Sequence, residues 1–255
     1  MLTSSSRPSA RRAIVTGGAT NIGRAITEAL LAQGYRVVVG ARRTETAASL
    51  VATYGDRVIP LRVDVSDPAQ CRRFIDDAVA RLGGLDVLVN NAAITGPAAV
   101  ARLADITPAH FRQVVDVNLG GVVFCSQAAV PHLRAAGGGV IVHISSINAY
   151  RPQQGAVVYA ASKAALTSVT QSMAKELAAD RIRVVAIAPG DIASDDDPNY
   201  HDALAAKGAG GDVVNQTPLG RGRTRDIGAT VAFVCSPDAA FVTGTTWLVD
   251  GGLLA

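Results

Sequence analysis

Seven short apolar runs recur along the chain at a spacing that leaves room for about one helix between neighbours, and this alternation restricts the fold more than any other feature. The runs cover 12–16, 36–41, 58–63, 85–89, 140–144, 184–188 and 245–249. Near-continuous Val, Ile and Leu over four to six residues suits strands covered on both faces, and helices between parallel strands supply that cover. The expected architecture is α/β: a single doubly wound parallel sheet of about seven strands with helices on both faces.

A chain of 255 residues, 49% of them hydrophobic, can bury one sizeable core. Residues 11–255 are therefore predicted to form a single domain, and the polar stretch 1–10 a disordered tail. The formal charge of +3 includes Arg7, Arg11 and Arg12, but the body shows no long basic run with interleaved aromatics, so nucleic acid is not an expected partner. Cys71, Cys125 and Cys235 stand apart without a C-x-x-C spacing, which fits single buried thiols in a reducing compartment. The first residues lack the apolar centre of a signal peptide, and no run approaches the roughly eighteen apolar residues of a membrane span. A soluble, cytoplasmic protein without a membrane partner is the expectation. His110, His132, His143 and His201 show no metal-ligand spacing, and no G-x-S-x-G elbow is present.

The first apolar run leads straight into Gly17-Gly18-Ala19-Thr20-Asn21-Ile22-Gly23 and then a helical pattern. Glycines at such a turn let backbone approach a pyrophosphate, and the helix N-terminus behind them offers free N–H groups. This makes the sheet Rossmann-like, with Gly17, Asn21, Ile22 and Gly23 as cofactor-binding candidates. Asn21 holds the place of the middle glycine and is one of the few other residues that tolerate a left-handed backbone. The second run ends at Ala41-Arg42-Arg43, where a carboxylate would be needed for the ribose 2′-hydroxyl of NAD. With no acid and two guanidiniums, a 2′-phosphate is favoured, so NADP(H) is the predicted cofactor and Arg42 its contact. Asp64 and Val65 end the third run, where an adenine contact fits, with Ser66 or Asp67 as N-cap of the next helix. Asn90-Asn91-Ala92-Ala93 ends the fourth, suiting close approach to a ribose and support of the sheet.

A second stretch carries chemistry. Tyr159, Lys163, Leu166, Val169, Met173 and Leu177 follow a helical period, so the tyrosine and lysine lie one turn apart on one face. A phenol ordinarily titrates near ~10, and a neighbouring ammonium lowers that value by stabilising the phenolate. The pair Ser145-Ser146 ends the fifth run. If one of these hydroxyls reaches the tyrosine, a carbonyl oxygen is held by two hydrogen bonds while Tyr159 passes it a proton and a hydride reaches carbon. Asn118 falls within an apolar helical pattern that opens at Thr107-Pro108. Its amide is either a structural hydrogen-bonding group or a kink that holds a water beside the lysine. Pro189-Gly190 ends the sixth run, and 195–217 reads as a substrate lid, with Asp195-Asp196-Asp197 capping a lid helix.

With Thr16-Gly17-Gly18…Gly23, Asn90-Asn91-Ala92-Ala93, Asn118, Ser146, Tyr159-x-x-x-Lys163 and Pro189-Gly190 in this order, the chain resembles the short-chain dehydrogenase/reductase family from Arg12 to Gly252. Pro218-Leu219-Gly220-Arg221 and Val249-Asp250-Gly251-Gly252 strengthen a likeness to its 3-oxoacyl-carrier-protein reductases. The resemblance implies a catalytic tetrad of Asn118, Ser146, Tyr159 and Lys163. Tyr159 would be the acid/base, Ser146 would orient the carbonyl, Lys163 would also hold the nicotinamide ribose, and Asn118 would order a relay water. The thirteen-residue spacing to Tyr159 selects Ser146 over Ser145. In the same way Asp64 would meet adenine, Asn90 would lie near the ribose, and Ile192 and Ser194 would meet the nicotinamide amide. Asn91, Ala92, Pro189 and Gly190 complete the cofactor set. Asn21, Ala93, Ala188 and Ser194 depart from the usual residues without removing a group the chemistry needs.

The expected function is NADPH-dependent reduction of a ketone, reversible as an alcohol dehydrogenase, on a small-molecule substrate. Thr95, Asn148 and Gln154 are substrate-pocket candidates. The alternatives are a 3-oxoacyl-thioester reductase and a non-catalytic NADP-sensing protein on the same fold. A homotetramer is expected by resemblance.

Overall fold

The computed structural model describes residues 10–193, 200–205 and 216–255. The tail 1–9 and most of the expected lid, including Ser194 and Asp195–Asp197, lie outside them. Seven strands are present among the described residues: β1 (Arg12–Thr16), β2 (Arg36–Ala41), β3 (Val58–Arg62), β4 (Val87–Asn90), β5 (Gly139–Ile144), β6 (Ile182–Pro189) and β7 (Thr246–Val249). They form one sheet in the order β3-β2-β1-β4-β5-β6-β7. Every pairing is parallel, as the alternation predicts. The chain starts mid-sheet, winds out to β3 and returns to β4, so a crevice opens beyond the carboxyl ends of β1 and β4 where the winding reverses.

Alternation along the strands sorts the core into two halves. Val15, Val37, Val39, Val89, Val142 and Ile187 face α1 (Asn21–Ala32), α2 (Ala48–Tyr54) and α8 (Thr224–Val234). Ile14, Val38, Leu88, Ile141 and Val184 face α3 (Pro68–Leu82), α5 (Gly121–Ala135) and α6 (Val157–Leu177). Each aliphatic side chain so buried contributes about 1.5–3 kcal/mol. Asp67 is the N-cap of α3, its carboxylate accepting from Ala69 N at 2.8 Å and Gln70 N at 3.3 Å.

The expected long helix after Thr107 is two helices, α4 (Pro108–Val115) and α5, joined by a π turn at Asp116–Gly120 that contains Asn118. At 28 residues and mean hydropathy 1.3, the stretch Pro108–Ala135 is long and apolar enough, on those measures, to cross a bilayer, so the expectation that no run comes near this is corrected. Its Cys125, Ala129 and Leu133 are instead buried against α3 and the sheet. The cysteines are single buried thiols, as expected. All three thiols are free and buried; Cys71 of α3 and Cys125 of α5 share one core cluster, and Cys71 Sγ donates to Val65 O at 3.3 Å.

Candidate active site

A cleft of about 540 Å³ runs along the carboxyl rim of the sheet. Gly17, Asn21, Ile22, Gly23, Arg42, Asp64, Val65, Asn91, Ala92, Ser146, Tyr159, Lys163, Pro189, Gly190 and Ile192 all line it. The glycine-rich turn and the tyrosine–lysine pair, far apart in sequence, therefore open onto one space.

The turn has the shape of an anion cradle. Gly17 (φ +64°) and Asn21 (φ +48°) take the left-handed conformation, as the asparagine substitution predicted. A side chain on Gly23 would run into the Gly17 carbonyl oxygen, so only glycine lets α1 start this close to β1. No side chain caps the first turn of α1, and no acidic residue lies in it, which leaves its N–H groups and dipole facing the cleft. Arg42 and Arg43 line the far end of the cleft exposed, with no carboxylate partner among the described residues. Asp64 is held by Ser66, its Oδ1 accepting from Ser66 Oγ at 2.7 Å and Ser66 N at 3.0 Å. These features fit a dinucleotide.

At the other end, the end of β5 and the first turns of α6 face each other. Ser145 Oγ donates to Lys163 O at 3.0 Å, so its proton is committed to the helix. Ser146 Oγ accepts from Asn148 N at 3.1 Å and keeps its own proton to donate into the cleft. Lys163 Nζ donates to Ile144 O at 2.7 Å and lies 5.9 Å from the centre of the Tyr159 ring. The lysine is 3% exposed with no carboxylate beside it among the described residues, and burial lowers its pKa to about 8. Two strand residues back, His143 is wholly buried, and desolvation followed by the Lys163 charge pushes it down to about 3.

Asn118 does not line the cleft; it stands behind it, fully buried. Its Oδ1 accepts from Ile94 N at 2.7 Å, and its Nδ2 donates to Ile94 O at 3.1 Å and Ser162 Oγ at 3.2 Å. Both open readings are met in part: the side chain is structural, and the helix leaves the α pattern at this residue.

Two neighbouring asparagines divide their work differently from the expectation. Asn90 turns away from any ribose, its Nδ2 donating to Ser126 Oγ at 2.9 Å under α5. It follows Leu88 on the same face of β4, and that alternation was the signal that could have placed it. Asn91 does line the cleft, but its amide clamps the glycine turn, donating to Thr16 O and Gly17 O, both at 3.0 Å. In the substrate end, Thr95 and Asn148 line the cleft but Gln154 is exposed outside it. Gln153 takes that place, its N–H bound to Asn148 Oδ1 at 3.0 Å. The short helix α7 (Tyr200–Ala205), the described part of the expected lid, closes this end by packing Leu204 on Val100. Ser194 lies outside the described residues.

A family model described as enoyl-(acyl carrier protein) reductase matches residues 17–254. The chain belongs to the short-chain dehydrogenase/reductase family. It is 37% identical over 252 residues to cis-4-hydroxycyclohexanecarboxylate dehydrogenase of Sinomonas cyclohexanicum, covering 96% of this chain and 97% of that one. Its fold matches 3-ketoacyl-(acyl-carrier-protein) reductase of Brucella melitensis, solved with NADH, with a TM-score of 0.86 at 29% identity over 96% of this chain and 98% of that one. It matches equally a blue fluorescent protein from a metagenomic library, solved with NADPH, with a TM-score of 0.83 at 33% identity over 96% and 98%. These relatives make the coarse class an oxidoreductase one.

Proposed function

We propose that this protein reduces a ketone to a secondary alcohol, and reverses that reaction, with NADP(H) as cofactor and Tyr159 as the acid/base. The observation that carries the reading is the shared cleft: a glycine turn shaped for a diphosphate at one end, and Ser146, Tyr159 and a buried, unpaired ammonium at the other. The reduced nicotinamide, when bound, supplies the hydride. Gly17, Asn21, Ile22 and Gly23 hold the diphosphate, Asp64 and Val65 the adenine end, and Pro189, Gly190 and Ile192 the nicotinamide end. Ser146 donates a hydrogen bond to the substrate oxygen, and Tyr159 donates the proton that completes the hydroxyl. Below about pH 8 the Lys163 ammonium favours the phenolate left behind, which lets the tyrosine work near neutrality. Asn118 acts through Ile94 and Ser162, fixing the β4 loop against α6.

The test is Tyr159→Phe, which keeps the ring and deletes the proton carrier. Turnover is expected to fall about 10²–10⁴-fold with cofactor affinity unchanged; retained turnover overturns the mechanism, and bound NADPH with no turnover of any carbonyl by the unaltered protein favours a sensor.

For the cofactor, Arg42 and Arg43 favour the 2′-phosphate of NADP. Arg42→Ala is expected to weaken NADPH about tenfold or more and leave NADH unaffected. Equal turnover of NADH and NADPH by the unaltered protein defeats this assignment. The substrate is read as a small free carbonyl compound, in keeping with the cyclic hydroxy acid named for the Sinomonas relative. Apolar Phe111, Phe124 and Val157 are exposed on α4–α6, which supports a homotetramer built through these helices; light scattering of the purified protein measures it directly.

A further inference from the structure

The opposite rim of the sheet holds a second cavity of about 410 Å³, walled by the starts of β1, β5 and β6. Four arginines, Arg11, Arg12, Arg181 and Arg183, line it with a single carboxylate, Asp86. Arg12 is spoken for: its Nε and Nη2 donate to Asp86 at 2.9 and 2.7 Å. Among the described residues, the other three guanidiniums have no carboxylate partner. Arg11 lies 4.5 Å over the Tyr35 ring and donates to Cys235 O at 2.7 Å. Arg183 donates to Val242 O at 3.0 Å and Val234 O at 2.7 Å. Carbonyl partners fix these two forks in place without cancelling their charge. The nearby acids do not cancel it either, since burial pushes the Cys235 thiol up to about 12 and raises the Tyr35 phenol. Four guanidiniums against one carboxylate leave a formal +3, as much as the whole chain carries.

Arg181 adds a second kind of observation. It sits at φ +55° in the turn between α6 and β6, and the only other described residue that is not glycine and has a positive φ is Asn21, in the cofactor's phosphate turn. Glycine would take this conformation without strain, so an arginine here spends backbone energy to project a cation over the cavity.

We propose that this cavity binds a phosphate group, free or carried by a small molecule, at a site distinct from the cofactor cleft. Arg11 at the start of β1 and Arg183 on β6 keep N–H groups beyond those given to carbonyls, and with Arg181 of the α6–β6 turn these suit the several oxygens of a tetrahedral dianion better than a flat carboxylate. A bound phosphate would tie those segments together at the floor of the sheet.

The experiment titrates the full chain with inorganic phosphate and with glycerol 3-phosphate by calorimetry, and follows the melting temperature against sodium chloride and malonate at matched ionic strength. A background saturated with NADPH fills the cofactor cleft, its glycine turn and Arg42 included. Phosphate is expected to raise the melting temperature in that background where chloride and malonate do not. Arg181→Gly is expected to weaken phosphate about tenfold or more while melting no lower than the parent in chloride, because it relieves the left-handed strain. Arg11→Gln is expected to weaken it as well. Equal affinity for the two ligands assigns the site to the bare ion, and tighter glycerol 3-phosphate assigns it to a phosphorylated small molecule. Unchanged phosphate affinity in both Arg181→Gly and Arg11→Gln, or an equal melting shift from malonate, overturns the proposal.

Discussion

The two faces of the sheet bury similar aliphatic side chains and very different polar ones. Among the described residues, thiols aside, five side chains with a polar group are completely buried: Thr27 and Tyr35 on the α1/α8 side, and Asn118, His143 and Thr170 on the α5/α6 side, where Lys163 is 3% exposed. The α1/α8 face is an aliphatic core of Ile26, Leu30, Leu31 and Val231 whose job is to hold the sheet. The α5/α6 face carries, directly behind the cleft, the groups that orient Ser146, Tyr159 and Lys163. Stability and chemistry are thus separated by the sheet, and the second face gives up some of the first to provide the second.

Lys163→Met tests that trade most severely. Burial holds the lysine's folded pKa near 8, below the unfolded value of 10.5. The fold therefore disfavours the charged form, at a cost fully present below about pH 8 and relieved as pH rises from 8 to 10.5. That cost is roughly 3 kcal/mol. Methionine removes it and fills the same space. Turnover is expected to fall on the order of a thousandfold while the melting temperature at pH 7 stays level or rises. A melting temperature lowered as far as a core truncation lowers it would show that the ammonium is structural.

Leu30→Ala is the counterpart on the other face. It opens a cavity under β1 and β2 and is expected to cost about 2–5 kcal/mol in chemical denaturation. Turnover measured well below the melting temperature is expected to be unchanged. If it falls in proportion to stability, the faces are not independent.

Acid should find the polar face first. His143 has a folded pKa of about 3 against 6.5 unfolded, so the unfolded chain takes up a proton that the folded one refuses, and stability is lost as pH falls from 6.5 towards 3. Between pH 6.5 and 5 this amounts to roughly 2 kcal/mol. His143→Leu is expected to flatten that part of the denaturation profile, and an unchanged slope would assign the acid sensitivity to carboxylates.

These contrasts also explain what could be read in advance. The tyrosine–lysine pair and the glycine turn are local, written in a helical period and in backbone requirements, and the structure has them as expected. The sheet order follows from alternation. What was hidden is which neighbour each polar group finds. Asn90 was expected at the ribose and is spent on Ser126. Gln153 rather than Gln154 enters the cleft, because the hydrogen bond to Asn148 sets the phase of a loop that has no period. Cys71 and Cys125 share one core cluster although nothing in their spacing indicates it. Long-range partners are set by how helices dock, and docking leaves no periodic trace.

The smallest expected effect makes the most controlled comparison, since it places one isosteric change on each face. Thr27 Oγ1 donates to Gly18 O at 2.9 Å, a bond to its own turn. Thr170 Oγ1 lies 3.0 Å from His143 Nδ1, and His143 Nε2 has no hydrogen-bond partner. Valine at 27 removes one donor from a carbonyl that tolerates the loss, at about 1 kcal/mol. Valine at 170 leaves a buried imidazole with neither nitrogen satisfied and is expected to cost more, about 1–3 kcal/mol. It should lower stability without changing the slope of the acid limb that His143→Leu flattens, because the imidazole still takes up its proton only on unfolding. Equal costs for the two variants would mean that the buried histidine gains nothing from the threonine, and that the polar face is less committed than its hydrogen bonds indicate.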